Sequence, residues 1–312
     1  MSLLEQRLGA GTFVVTAELL TVETGGLDAV RRRFEPFEPW VDAVNATDNT
    51  AAHAHASPVA VAIALKQLGV EPVMQLACRD RNRLALEADI VGGALHGVEN
   101  ILCLTGDDVT AGDEPEAKRV FDLDSLQLLE TATALAGGRY LSGRNIDPPP
   151  HLFLGAAENA GAPPYEFRVD RALKKVRAGA RFFQLQVCFE HAQLAGFMRA
   201  AVESGLAEQA AMLPSVCLVR TPSALRYMNE KVPGISVPAE MVERIERAAD
   251  TEAACFELGV EIAERILELP GIAGLHLISF RREAGIARLC ERLGIPTREE
   301  RGSSGYRSAL AV

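Results

Sequence analysis

The sequence predicts an α/β fold, a single-domain (β/α)8 TIM barrel, from three observations. Eight short β-rich runs recur along the chain, stretches of helical period separate them, and 312 residues suit one large barrel. The strand candidates are FVVTAEL (13–19), AVNATD (43–48), PVMQLAC (72–78), NILCLTG (100–106), HLFLGAA (151–157), FFQLQVCF (182–189), MLPSVCLV (212–219) and GLHLISF (274–280). Eight is the number that closes a barrel.

Helical stretches lie between them, among them 81–97, 125–137, 168–180 and 191–205. Several end in glycine beside a new apolar run, as expected where a helix stops before the next strand. Residues 222–268 read as two helices, SALRYMNEKV and the long run that starts at PAEMVERIE, broken by PGISVP. This helical insertion after the seventh strand is the one large irregularity. No repeat, low-complexity tract or linker divides the chain, so one domain is expected over 1–312. An open doubly wound sheet is the competing architecture, and the lack of a GxGxxG run after the first strand weighs against its dinucleotide-binding form.

Composition narrows the function. A net charge of -10, from 42 acidic and 32 basic side chains, repels nucleic acid and anionic membranes. No apolar run reaches the ~18 residues of a bilayer span, and the first residues lack the pattern of a signal peptide. A cytoplasmic protein is expected. Six scattered cysteines without a CxxC pair read as reduced, buried thiols. His53 and His55 near Asp48 invite a metal reading, but two histidines two apart at a helix start do not share a face and no third ligand follows, so no metal is expected.

In a barrel the carboxyl ends of the strands converge on one cleft. The polar residues there are Glu18; Asn45, Thr47, Asp48 and Asn49; Gln75; Thr105, Asp107 and Asp108; Glu158 and Asn159; Gln184 and Gln186; Arg220, Arg281 and Arg282. Asp107 and Asp108 end the apolar run NILCL, where a carboxylate can meet a ligand or cap the next element. Glu18 interrupts an apolar strand; burial disfavours its charged form and suits it to act as a general acid, with a structural ion pair as the alternative. Gln184 and Gln186 share a strand face by the period of two, and their amides suit a heterocyclic ring. Lys174 and Lys175, beside Arg171 and Arg177, form a basic helix face whose ordinary role is solvation and whose sharper role is phosphate contact.

With TAELL in the first strand, VNATDN after the second, QLACRDRNR after the third, LTGDD after the fourth, KKVRAGARFFQLQ into the sixth and HLISFRR at the eighth, the chain resembles the methylenetetrahydrofolate reductase family. These are barrel enzymes that reduce the one-carbon unit of folate, and the likeness runs from about residue 13 to about 295. It implies that Glu18 is the acid that opens the methylene folate ring to an iminium cation, that Asp107 meets the pterin near the flavin, and that Gln186 contacts folate and nicotinamide in turn. Arg282 matches a substrate-binding arginine. Thr47 matches a threonine near flavin and nicotinamide, and Lys175 a flavin-phosphate lysine. Gln75, Thr105 and Gly106 fall at further cofactor-contact positions.

The chain also departs from the family. Thr105 stands where an arginine is usual, Gln75 where a histidine is, and GAAENAG replaces a tyrosine, proline and histidine pattern that cradles the cofactor. The losses fall mainly on flavin contacts, and the chain resembles a divergent branch, some of whose members work with partner subunits or without flavin. The resemblance implies FAD, NADH or NADPH, a tetrahydrofolate substrate, a role in one-carbon metabolism and methionine biosynthesis, and either a homo-oligomer or a partner subunit. Two other functions stay open: a pterin-binding methyltransferase, and a folate-binding subunit that depends on an electron-delivering partner.

Overall fold

The computed structural model describes residues 1–232, 234–280 and 282–304. Eight parallel strands close into a barrel in chain order: β1 (Val14–Leu19), β2 (Ala43–Ala46), β3 (Pro72–Ala77), β4 (Asn100–Leu104), β5 (Phe153–Glu158), β6 (Phe182–Leu185), β7 (Ala211–Leu218) and β8 (Gly274–Ser279). β1 pairs with β2 on one side and β8 on the other, which closes the ring and sets all carboxyl ends around one mouth. All eight predicted strands are present. β6 stops four residues earlier than expected because Gln186 turns its side-chain Oε1 onto the Val187 amide, which then leaves the ladder.

Alternation along the strands stacks the barrel interior in layers. The amino-terminal layer is apolar and includes Val14, Val73, Leu102, Phe153, Phe182 and Leu213, closed from below by Leu4. Phe182 fits because Gly155 has no side chain; a Cβ there would lie 2.2 Å from the ring. The next layer up is polar, formed by Thr16, Asn45, Gln75, Gln184, Ser215 and His276. Burying polar groups at that depth demands that they satisfy one another.

Helices cover the outside. They are α1 (Leu3–Gly9), α2 (Gly26–Phe34), α3 (Pro58–Gln67), α4 (Arg83–Leu95), α5 (Ser125–Ala136), α6 (Arg168–Arg177), α7 (His191–Glu203) and the short α8 (Leu206–Gln209). Side-chain caps fix several starts: Ser57 accepts from the Ala60 amide, Asn82 from Ala85, and Asp124 with Gln127 forms a capping box. The region 222–268 holds three helices, not the two expected: α9 (Pro222–Lys231), α10 (Ala239–Glu246) and α11 (Thr251–Leu267). The long run breaks where Asp250 takes an extended backbone and caps α11 through the Ala253 amide. α11 packs on β7 as its crossover helix, so α9 and α10 are the true insertion, and their Leu225, Met228 and Ile245 pack with Cys217 of β7 and Leu258 of α11 in a second, smaller core. α12 (Ala284–Arg292) and α13 (Arg298–Ser304) finish the described chain.

A buried ion pair ties α13 to the barrel. Arg301 and Asp42 are both fully enclosed, with Nη2 2.5 Å from Oδ2, and Asp42 Oδ2 also accepts the Val15 amide at 2.8 Å. Burial raises the pKa of Asp42, and Arg301 opposes that rise. Replacing Arg301 with Met leaves the carboxylate without its main counter-charge, and urea unfolding is expected to show a loss of about 3–5 kcal/mol. Because the folded-state pKa lies above that of the unfolded chain, the contribution of Asp42 is largest in acid and declines as pH rises through the folded value; the Arg301→Met deficit should therefore deepen toward neutral pH.

Candidate active site

A cavity of about 300 Å³ opens at the carboxyl mouth of the barrel. Its walls include Glu18, Gln75, Gln184, Gln186 and His276, five polar residues from four separated parts of the chain. Glu18 projects from β1 into this space. Its Oε1 accepts Gln75 Nε2 at 3.0 Å and lies 3.5 Å from His276 Nε2. The carboxyl is thus held from two sides while remaining open to the cavity.

Below it the polar layer is self-satisfied. Gln184 and Asn45 exchange amide hydrogen bonds of 2.6 and 3.0 Å, and Gln184 Nε2 also donates to Thr16 Oγ1 at 3.3 Å. Thr16 then has its own proton to give, to His276 Nδ1 at 2.8 Å or the Leu275 carbonyl at 3.5 Å. The shorter contact makes Nδ1 the acceptor and places the imidazole proton on Nε2, facing Glu18. Cys217 feels the same surroundings: burial first, then the Glu18 charge, pushes its thiol up to about 12. All six cysteines are free and buried, as expected.

At the rim, Gln186 and Thr105 line the cavity, and Thr105 Oγ1 accepts the Ser125 amide at 3.1 Å. Gly106 turns the chain at φ +94°, a left-handed conformation that suits glycine. Across the mouth, buried Glu158 gathers three cations: Lys175 at 3.0 Å, Arg168 at 3.3 Å and Arg171 at 3.8 Å. Lys175 is therefore not part of a solvated face. Burial lowers its pKa, Glu158 works against that, and its Nζ also donates to the Ala157 carbonyl. Lys174, Arg171 and Arg177 do face solvent.

Other expected site residues lie outside the lining. Asp107 is exposed, and its carbonyl accepts Arg79 Nη1 at 3.4 Å. Asp108 is a cap: it accepts the Thr110 amide and pairs with Arg119, contacts that hold its carboxyl well below the usual range. Thr47 is buried to one side, bonded to the Leu19 carbonyl. Asp48 accepts the Ala77 amide and pairs with Arg81, and Asn49 bonds Asp80; Asn159, by contrast, does line the cavity, with its amide donating to the Gly234 carbonyl. Arg282 and Arg220 both reach Glu252 at the start of α11, at 2.9 and 3.6 Å, so Arg282 does not converge with Glu18. Arg281 lies outside the described residues.

His53 and His55 sit in an irregular segment before α3, not in a helix, and each bonds a backbone carbonyl. Among the described residues no three His, Cys, Asp or Glu side chains are placed to hold a metal, and no helix is long and apolar enough to cross a membrane.

Two residues escaped sequence reasoning. His276 sits mid-strand in GLHLISF, two residues before Ile278 on the inward face; its period of two was the available signal. Arg79 is almost wholly buried and binds Asp80, the Asn49 carbonyl and the Asp107 carbonyl, tying together the loops that follow β2, β3 and β4. Nothing in RDRNR distinguishes it from its neighbours.

A flavin dinucleotide fits this geometry poorly. The lysine expected to meet its phosphate is already bound by Glu158, and Thr47 does not reach the cavity.

Comparison with known proteins agrees with the barrel. Methylenetetrahydrofolate reductase 2 of Schizosaccharomyces pombe is 22% identical over 234 residues, covering 72% of this chain but only 36% of that protein. A Clostridium thermocellum protein described as binding two copies of 5-methyl-5,6,7,8-tetrahydrofolic acid superimposes with a TM-score of 0.66 at 13% identity, covering 94% of this chain and all of that one. The model of the family described as methylenetetrahydrofolate reductase matches residues 4–294, nearly the whole length. On that match, the chain belongs to the methylenetetrahydrofolate reductase family.

Proposed function

We propose that the chain reduces 5,10-methylenetetrahydrofolate to 5-methyltetrahydrofolate, with reduced nicotinamide, NADH or NADPH, as the source of hydride. The observation that carries this reading is Glu18, a carboxyl open to the cavity and braced by Gln75 and His276, in a chain of this family. The Clostridium thermocellum relative, described as binding a reduced folate on the same fold, supports the choice of substrate.

The chemistry follows from charge. Opening the five-membered ring of the substrate requires a proton on the departing nitrogen, and Glu18 is the acid positioned to give it. As Glu18 becomes a carboxylate, the amide of Gln75 and the Nε2 proton of His276 stabilise the new charge without rearranging. The open cation then stands in a cavity whose rim amide, Gln186, offers both donor and acceptor to a pterin edge. Asp107 and Arg282 remain candidates for substrate contact only if their loops move inward from the positions described.

The same poor fit that weighs against flavin favours a second reading, a folate-binding subunit supplied with electrons by a partner. Three measurements separate and test these readings. The purified chain with methylene folate should bleach NADH or NADPH at 340 nm, and Glu18→Gln should slow that turnover ~10²- to 10⁴-fold while leaving folate binding in place; failure of the wild-type chain to oxidise either nucleotide until a partner is added would leave the subunit reading standing. Gln186→Leu should raise the KM for the folate about tenfold or more, through the loss of about one hydrogen bond to the bound ring. The absorption spectrum of the purified protein should be flat from ~350 to 500 nm, and a band there would restore flavin as the carrier.

A further inference from the structure

Thr16 faces neither solvent nor the cavity. It is fully buried and forms no part of the cavity wall. Strand pairing nonetheless sets it beside His276: Thr16 of β1 and Ser215 of β7 stand in register with the histidine on its two sides. Two hydroxyls thus flank the imidazole. Ser215 gives its proton to the Leu185 carbonyl, which leaves Thr16, 2.8 Å from Nδ1, as the hydroxyl that bonds a ring nitrogen.

The direction of that bond is set from behind. Gln184 Oε1 accepts from Asn45 Nδ2 at 2.6 Å, so the amide nitrogen of Gln184 is the atom turned toward Thr16. An amide nitrogen only donates, and both of its hydrogens are committed, one to Asn45 Oδ1 at 3.0 Å and one to Thr16 Oγ1 at 3.3 Å. With its lone pair engaged in this way, the hydroxyl sends its own proton on to Nδ1, and the ring proton stays on Nε2. Reversal of the amide would reverse every step. Thr16 would return its proton to Gln184, Nδ1 would be protonated, and Nε2 would present a lone pair to Glu18.

The two directions have different results at the carboxyl. His276 Nε2 lies 3.5 Å from Glu18 Oε1, the oxygen that also accepts Gln75 Nε2 at 3.0 Å. With both donors on Oε1, the proton of the acid form resides on Oε2. That oxygen bonds no described residue and is not among the enclosed polar atoms that lack a partner, so it opens on the cavity. A lone pair on Nε2 would instead draw the proton to Oε1, away from the cavity, and would repel the carboxylate once the proton had left.

We propose that Thr16 is a positioning residue for proton transfer: held by the Gln184 amide, it fixes His276 as the Nε2–H tautomer and so confines the transferable proton of Glu18 to Oε2. On transfer the O–H bond at Oε2 breaks, an N–H bond forms on the departing nitrogen of the substrate, and Glu18 keeps the electron pair as a carboxylate. The use of that proton rests on the reading of Glu18 as the acid, whereas the tautomer does not.

Ring 15N spectra of the full chain test the tautomer without reference to turnover. The chain has six histidines, and the signals of His276 are those that His276→Gln removes. Slightly above neutral pH they should show a protonated Nε2 and a bare Nδ1. Thr16→Val keeps the shape of the side chain but not the hydroxyl, and Nδ1 should then be protonated in a measurable fraction of molecules; Thr16→Ser should restore the original pattern. In turnover, Thr16→Val should lower kcat ~10-fold or more, because the new carboxylate loses one of its two donors, and should leave the KM for folate within about twofold, because Thr16 lies outside the cavity wall. Thr16→Ser should recover most of that loss. A protonated Nδ1 in the wild-type chain would overturn the proposal, as would wild-type kcat in Thr16→Val. So would an unchanged tautomer in Thr16→Val, which would show that Glu18 alone sets it. Absence of folate turnover in the wild-type chain would overturn the reaction proposed above, and with it the use of the proton, while the spectra alone decide the tautomer.

Discussion

Closure of the β-sheet is the constraint on which the rest depends. A ring of eight parallel strands sends every second side chain into one interior, and each such residue must pack or bond with residues far away in the chain. The lower interior is filled by aliphatic and aromatic side chains, with Gly155 making room for Phe182. Above that plug, apolar filling gives way to amides, hydroxyls and an imidazole. The change of layer creates the site, because Gln184, Asn45, Thr16 and His276 use their hydrogen-bonding capacity on one another and form a rigid floor. Glu18 is the first carboxyl above that floor, which gives it both support and access to the cavity.

The same logic explains why cations at the mouth do not act as free charges. Glu158 is buried, and an isolated carboxylate there would be costly. Lys175, Arg168 and Arg171 converge on it and neutralise it, and the helix α6 is thereby fixed to the end of β5. What looks in the sequence like a basic helix face is therefore divided: Lys175 is turned inward as a structural counter-ion, Arg171 reaches the same carboxylate from the surface, and Lys174 and Arg177 face water. Arg79 plays a comparable part among the loops after β2, β3 and β4, where one guanidinium bonds two carbonyls and a carboxylate. These contacts decide which loops stand still around the mouth.

Much of the fold was legible because apolar runs and helical periods are local signals. The eight strands, the four named helices and the buried thiols follow from residues within a few positions of one another. The division of 222–268 was less legible, since Asp250 reads as one more helix residue until its extended backbone and its bond to Ala253 show it to be a cap. Among the site residues, Glu18, Gln184 and Gln186 were visible as polar interruptions of apolar strands. His276 carries the same signal, whereas Asp107 and Arg282 stand at strand ends that point to the site although the loops carry their side chains elsewhere.

The sequence by itself determined the architecture, the likeness to one family and the identity of the carboxyl at the centre of the cavity, because each is written in short-range pattern. Only the tertiary structure decided partners. That Gln75 and His276 brace Glu18, that Glu158 claims Lys175, and that Arg282 turns to Glu252 depend on where the closed ring and its loops bring residues separated by tens to hundreds of positions. Hydrogen bonds and ion pairs act over a few ångströms of space, and distance along the chain gives no measure of that separation until the barrel has closed.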